Sequence, residues 1–144
     1  MVDSEPIVIE YNVRMGDPET EAVLPRLKTD LVEIFQAIDK QSLNEIDIEI
    51  DPQTAVTVML VSGGYPEAYE KGKEITGLDK VENSIVFHAG ANNSDGKIVT
   101  SGGRVMSITS FGPDFKSALK TSYKSIELIK FEGMNYRKDI GFDL

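Results

Sequence analysis

The sharpest chemical pattern in the chain is Glu10-x-Asn12-x-Arg14. A carboxylate and an amide oxygen two positions apart offer two hard oxygen donors to one side of an extended segment. Magnesium takes such donors, usually one or two from protein, and completes its shell with waters and nucleotide phosphates. Arg14 lies one step further along the same side, where its planar fork could hold a phosphate or carboxylate. The same spacing is also what an exposed polar strand face produces, so the pattern alone leaves both readings open.

The segment that must position these groups is Pro6 to Arg14, rich in Ile, Val and Tyr, which reads as a strand. Side chains on a strand alternate between two faces. Ile7, Ile9, Tyr11 and Val13 then form an apolar face, and Val8, Glu10, Asn12 and Arg14 the opposite one. Gly16-Asp17-Pro18-Glu19 breaks the strand, and Pro18 suits the first turn of a helix with Glu19 and Glu21 at its N-terminus, interrupted at Pro25. A second helix is predicted from Thr29-Asp30, with Asp30 and Glu33 spaced as a capping box and Leu31, Ile34, Phe35 and Ile38 as a core-facing stripe.

After Ser42 the pattern turns to strands. Ile46, Ile48 and Ile50 alternate with acids, Val56–Val61 is β-rich, and Tyr65–Val81 reads as loop and turns. Ser84–His88 is a predicted strand, joined by an Asn92–Gly96 turn to a strand over Lys97–Thr100. Ser101-Gly102-Gly103 turns into a strand over Arg104–Ser110. A last helix is expected over Asp114–Ile129, with Asp114 as N-cap and Gly133 closing the pattern. The polar tail Tyr136–Gly141 has no evident core role, and His88 reads as a packed residue at the end of a β-rich run.

Composition narrows the function classes. The chain has 144 residues, 40% of them hydrophobic, enough for one domain or a domain with an appendage. Acidic side chains outnumber basic ones, 24 to 15, for a formal charge of −9, and no basic run occurs. Such a surface argues against nucleic acid and anionic membrane as partners. With no cysteine and one histidine, disulfides, zinc–thiolate sites, thiol nucleophiles and multi-histidine metal sites are excluded. No apolar stretch approaches the roughly 20 residues needed to span a bilayer. Met1–Pro6 lacks the marks of a secretory leader, so the expected compartment is the cytoplasm.

The string Val8–Glu21, read Val-Ile-Glu-Tyr-Asn-Val-Arg-Met-Gly-Asp-Pro-Glu-Thr-Glu, resembles the ATP-grasp signature of phosphoribosylamine–glycine ligases. Leu24–Leu31, Ser62-Gly63-Gly64-Tyr65-Pro66, Tyr69-Glu70-Lys71-Gly72, Val86–Gly90, Gly102-Gly103-Arg104-Val105 and Phe131–Gly141 continue the resemblance in order, over nearly the whole chain. It implies an α+β chain in two parts. Residues 1–45 would be the end of an ATP-grasp domain, and residues 46–144 a small antiparallel β element, a rudimentary hybrid motif, with a packed C-terminal helix.

The resemblance also implies the chemistry. These ligases join glycine to 5-phosphoribosylamine with conversion of ATP to ADP and phosphate, through a glycyl phosphate. Glu10 and Asn12 would be ligands of the magnesium or manganese bound with ATP, and Arg14 would steady the transferring phosphate. Asp17 and Glu19 are candidates for the substrate side, with helix capping as their plain alternative. Arg104, with Arg137 or Lys138, is a candidate contact for the phosphate of phosphoribosylamine, with a surface salt bridge as its plain alternative. The resemblance covers roughly the last third of the family's sequence, without the ATP lid and adenine-holding groups, so this chain alone is expected to be inert. A strand cut from its partners would leave an edge and an apolar face that another copy of the chain could cover. Two other readings share the Glu-x-Asn-x-Arg arrangement or the sheet: another ATP-grasp ligase or biotin-dependent carboxylase subunit, and a non-catalytic barrel-sandwich interaction module.

Overall fold

Strand β5 (Arg104–Gly112) is the centre of the fold. In the computed structural model, which describes residues 7–143, it pairs antiparallel on one edge with β1 (Thr54–Val61) and on the other with β2 (Ile85–His88). The β1–β5 register runs from Thr54 opposite Gly112 to Leu60 opposite Met106, then shifts so that Val61 faces Arg104. A shift of this kind is a bulge, which bends the strand and re-aims the side chain beside it. That side chain is Arg104.

The alternation predicted for β1 is what packs the core. Val56, Val58 and Leu60 are buried, and opposite them Met106 and Ile108 of β5 point the same way. Helix α3 (Phe115–Leu128) lays Ala118, Ser122, Ser125 and Ile126 on this face. A chain of serine hydroxyls crosses the interface: Ser84 Oγ lies 2.6 Å from Ser125 Oγ and 2.7 Å from Ser110 Oγ, and Ser122 Oγ donates to Ser110 Oγ at 2.8 Å. Each of these four hydroxyls thereby has a partner, which offsets the cost of taking it out of water. Asp114 caps the helix as expected, its carboxylate accepting from the Ser117 N–H at 2.7 Å.

A second sheet was only half visible in the sequence. Asn92-Asn93-Ser94 are not turn residues but belong to β3 (Ala91–Ser94), which pairs with β4 (Lys97–Thr100) across a two-residue turn. Asp95 and Gly96 both take positive φ there (51° and 80°), the geometry that favours Asp-Gly in tight hairpins. The tail corrects the sequence reading as well. Phe131 is buried, Met134, Tyr136 and Ile140 pack on the core, and Asn135 exchanges two backbone hydrogen bonds with Val61 at 2.8 and 3.0 Å.

The N-terminal third departs most from expectation. Pro6 lies outside the described residues, and Ile7–Val13 form no strand: Ile9 and Val13 are 95% and 96% exposed, and no backbone partner pairs with the segment among the described residues. A strand's hydrogen bonds are made to a neighbour, so β-rich composition without one gives an extended chain. The short helix α1 (Thr20–Val23) runs on through Pro25 as a 3-10 turn over Leu24–Arg26. Helix α2 (Leu31–Asp39) starts at Asp30, whose carboxylate accepts from the Val32 N–H at 2.7 Å; Glu33 makes no reciprocal bond among the described residues. Its stripe is not core: only Ile34 and Ala37 are buried, while Leu31, Phe35 and Ile38 are exposed.

Ile108→Ala should lower the unfolding free energy by about 2–5 kcal/mol, the range for a large aliphatic removed from a rigid core, as read by urea denaturation of the chain. A second prediction concerns Asp114, whose carboxyl is held below the usual range by the hydrogen bond from the Ser117 amide and then that from its hydroxyl. Because the folded value is depressed, its stabilisation is present above the unfolded value and lost as pH falls through the folded one. Asp114→Ala should therefore be less stable than the parent at neutral pH, and the two melting curves should converge as pH drops below about 4.

Candidate functional site

The site is built where three backbone turns meet at the start of β5. The Gly90 N–H donates to the Arg104 carbonyl at 2.7 Å, and the Gly90 carbonyl accepts from the Ser101 and Gly102 N–H groups at 2.7 and 3.1 Å. A Cβ on Gly90 would lie 2.4 Å from the Arg104 oxygen and 2.6 Å from the Gly102 Cα, so only a residue without a side chain fits. From the other side, the Ser62 N–H donates to the Gly103 carbonyl at 2.8 Å and its hydroxyl to the Gly102 carbonyl at 2.9 Å. Arg104 thus leaves a backbone fixed on both sides.

Its guanidinium reaches Asp17, 87 residues away in sequence. Nη2 donates to Asp17 Oδ2 at 2.7 Å and Nη1 to the Asp17 carbonyl at 3.1 Å. The loop carrying Asp17 is closed on itself: Glu19 Oε1 accepts from the Gly16 N–H at 3.1 Å, and the Thr20 hydroxyl donates to the Gly16 carbonyl. Glu19 stands at the N-cap position of α1, yet its carboxylate reaches back to Gly16 and makes no forward capping bond. One turn later the Thr109 hydroxyl donates to the Glu21 carbonyl at 2.9 Å, and Thr57 and Thr109 hydroxyls meet at 2.6 Å beneath it.

Two of the sequence-predicted site residues, Asp17 and Arg104, are therefore brought together. Glu10, Asn12 and Arg14 are exposed, in a segment without regular structure, and the shared strand face expected of them is not formed. Among the described residues neither the Glu10 nor the Asn12 side chain makes a hydrogen bond, and Arg14 donates only to the neighbouring Met15 carbonyl, at 2.9 Å. Arg137 does not join Arg104. Its guanidinium holds Asp139 at 2.8 and 2.9 Å, which raises its own pKa and keeps the Asp139 carboxyl below the usual range. Lys138 sits 5.9 Å from the centre of the Tyr136 ring. Through the bridges Arg104–Val61–Asn135, Asn135 at the start of the tail lies on the far side of β1, about 10 Å from Arg104 at two strand spacings. His88, expected to pack, is exposed.

For a divalent ion the donor set fits in kind: Glu10 and Asn12 present two oxygens, unshared with other protein groups. No cluster of three or more His, Cys, Asp or Glu occurs among the described residues, so further coordination would have to come from waters and phosphates, as magnesium prefers. Glu21 entered the sequence reading only as a helix N-terminal acid and Ser107 only as part of a strand. Glu21 Oε2 and Ser107 Oγ are both buried without a hydrogen-bond partner among the described residues, and nothing in local sequence marks that burial.

The protein-family model described as phosphoribosylglycinamide synthetase, C domain, matches residues 55–143. The chain belongs to that family. Phosphoribosylglycinamide synthetase relatives align beyond the C domain, over nearly all of the chain. A phosphoribosylamine–glycine ligase of Caldanaerobacter subterraneus is 50% identical over 135 residues, 94% of this chain and 32% of the relative. A bifunctional purine biosynthetic protein of Dictyostelium discoideum is 51% identical over 138 residues, 93% of this chain and 17% of that protein. The crystal structure of the Thermotoga maritima phosphoribosylamine–glycine ligase superposes with a TM-score of 0.74 at 38% identity, covering 95% of this chain and 34% of that one. The chain thus spans about a third of the ligases it matches. An α+β architecture with small antiparallel sheets and a C-terminal helix is what the family match and the superposition share with this fold. These matches favour the synthetase family over the carboxylase reading.

Because no side chain fits at the turn crossing, Gly90→Ala should destabilise the fold by about 1–3 kcal/mol, as overpacking does, and thermal unfolding should show it. Gly72→Ala, where no atom lies within 4 Å of the added methyl but φ is +80°, isolates the cost of backbone strain alone and should cost less.

Proposed function

We propose that this chain is the C-terminal part of an ATP-dependent ligase that joins glycine to 5-phosphoribosylamine, giving glycinamide ribonucleotide, ADP and phosphate in the cytoplasm. The observation that carries this reading is identity of about half the residues to a phosphoribosylamine–glycine ligase over 94% of the chain. Within it, residues 1–45 form the end of the ATP-grasp domain and residues 46–144 the C-terminal domain. The 55–143 span of the family match supports placing the boundary before β1.

In the reaction a glycine carboxylate oxygen bonds to the γ-phosphorus of ATP as the bond to ADP breaks, giving glycyl phosphate. The amine nitrogen of phosphoribosylamine then bonds to the glycyl carbonyl carbon, the carbon–oxygen bond to phosphate breaks, and the nitrogen sheds a proton. Glu10 and Asn12 would hold magnesium or manganese, which would supply charge neutralisation for the transferring phosphoryl group. Arg14, free of any carboxylate partner among the described residues, supplies a further positive charge to that group or to the acyl phosphate. Asp17 and Glu19 stand on the substrate side, and Arg104 contacts the ribose phosphate. Arg137 and Lys138, far across β1 and engaged elsewhere, are weaker candidates for that contact.

In a full-length ligase carrying this segment, Glu10→Ala should raise the magnesium needed for glycine-dependent ADP release. The rise should be at least tenfold to a hundredfold, roughly what loss of an outer-shell partner already costs. Unchanged turnover at ordinary magnesium would remove the metal role. The isolated chain should release no ADP from ATP and glycine.

A further inference from the structure

Among the described residues two side-chain oxygens are sealed from solvent and still lack a hydrogen bond: Glu21 Oε2 and Ser107 Oγ. Ser107 is 1% exposed, and Glu21 is half-buried with one carboxylate oxygen inside. An unmatched buried oxygen is costly, a carboxylate oxygen most of all. Both atoms are already enclosed by this chain, so segments of a longer protein could reach neither.

The two oxygens lie under the same element. The Thr109 hydroxyl donates to the Glu21 carbonyl at 2.9 Å. Ser107, two residues back along β5, shares the face of Thr109 at a distance of roughly 7 Å. Helical side chains lean toward the helix N-terminus. For α1 that is the Asp17 end, which Arg104 holds at the start of β5. From its anchor at Thr109 the Glu21 side chain therefore leans back along β5, over Ser107. Directly across the sheet from Ser107 stand Met59 and Phe87, whose side chains have no N–H or O–H to offer either oxygen. The threonine protons of that face are committed: Thr109 gives its own to the Glu21 carbonyl and receives that of Thr57 at 2.6 Å.

Whatever joins the two oxygens must donate to a carboxylate, exchange a hydrogen bond with a hydroxyl, and fit an enclosed gap. We propose that a single buried water does this, bridging Glu21 Oε2 to Ser107 Oγ beneath α1. One of its protons goes to Glu21, and Ser107 either donates to its oxygen or accepts its second proton. Two hydrogen bonds in series span up to about 5–6 Å, which joins oxygens too far apart to bond directly. The water is then the middle of three polar joints that seat α1 and its loop on β5, between Arg104 on Asp17 and Thr109 on Glu21.

The test uses this chain. Crystals that resolve ordered solvent should show one water within about 3.2 Å of both oxygens. In solution, deuterium relaxation dispersion of the solvent should lose the amplitude of one long-lived water in Glu21→Leu. Glu21→Gln, which keeps an oxygen for the bridge, should retain it. Because the two side chains meet only through the water, their effects should also be coupled: after Glu21→Leu, Ser107→Ala should shift the urea midpoint less than it does in the parent. A Glu21 carboxylate bonded directly to Ser107, or turned out to solvent, overturns the proposal, as does an enclosed gap without density. A dispersion unaltered by Glu21→Leu overturns it too, and so do midpoint shifts that simply add. The parent crystal decides the matter even where Glu21→Leu fails to fold.

Discussion

The approach of Gly90 to Gly102 and Arg104 is the constraint from which the rest of the structure takes its geometry. Three backbone hydrogen bonds close within it, and no space is left for a side chain on Gly90. Buried backbone groups must find partners, and here they find them in one another. That contact fixes the residue at which β5 begins. From there β5 pairs with strands on both edges and packs α3 against the face of Met106 and Ile108. The same contact gives Arg104 a rigid base, so its reach to Asp17 is decided by the sheet and not by the loop it grips.

The parts of the fold written in local pattern were legible. Alternation in Val56–Val61, the β-branched run of Ile85–Val86, the Gly102-Gly103 break and the helical spacing after Asp114 all correspond to elements near the expected residues. Strand β3 was hidden because Asn, Asn and Ser are turn formers by propensity, and only pairing with β4 makes them a strand. The tail was hidden for a related reason: Tyr136 and Ile140 are too few and too widely spaced to show a period, although both pack on the core. The opening segment failed in the opposite direction. Its composition is strand-like, but a strand is a property of two segments, and Ile7–Val13 have no second one among the described residues.

The candidate site divides in the same way. For Glu10, Asn12 and Arg14 the residue types alone left a metal–phosphate role and a plain polar face both open, and only the resemblance of the surrounding string favoured the first. The Asp17–Arg104 pair could not be read, since a separation of 87 residues leaves no trace in spacing. Asp17 and Glu19 were both read as substrate-side or helix-capping residues; among the described residues neither caps α1, and both instead close the loop that ends the segment, one by holding Arg104 and one by holding Gly16. Arg137 looked free in sequence and is not, because Asp139 two residues on has the reach to satisfy it.

The serine hydroxyls between α3 and the sheet carry a consequence of their own. An oily contact tolerates small rotations of a helix, because its attraction has no preferred direction. Ser84, Ser110, Ser122 and Ser125, linked at 2.6 to 2.8 Å, behave as a key cut for one orientation, since a hydrogen bond weakens steeply when its angle opens. Sliding α3 by a turn would strand buried hydroxyls with no partner, so the helix has one seat. Everything threaded after Ile129, including the Asn135 contact to Val61, inherits its alignment from four of the smallest polar groups in the interior.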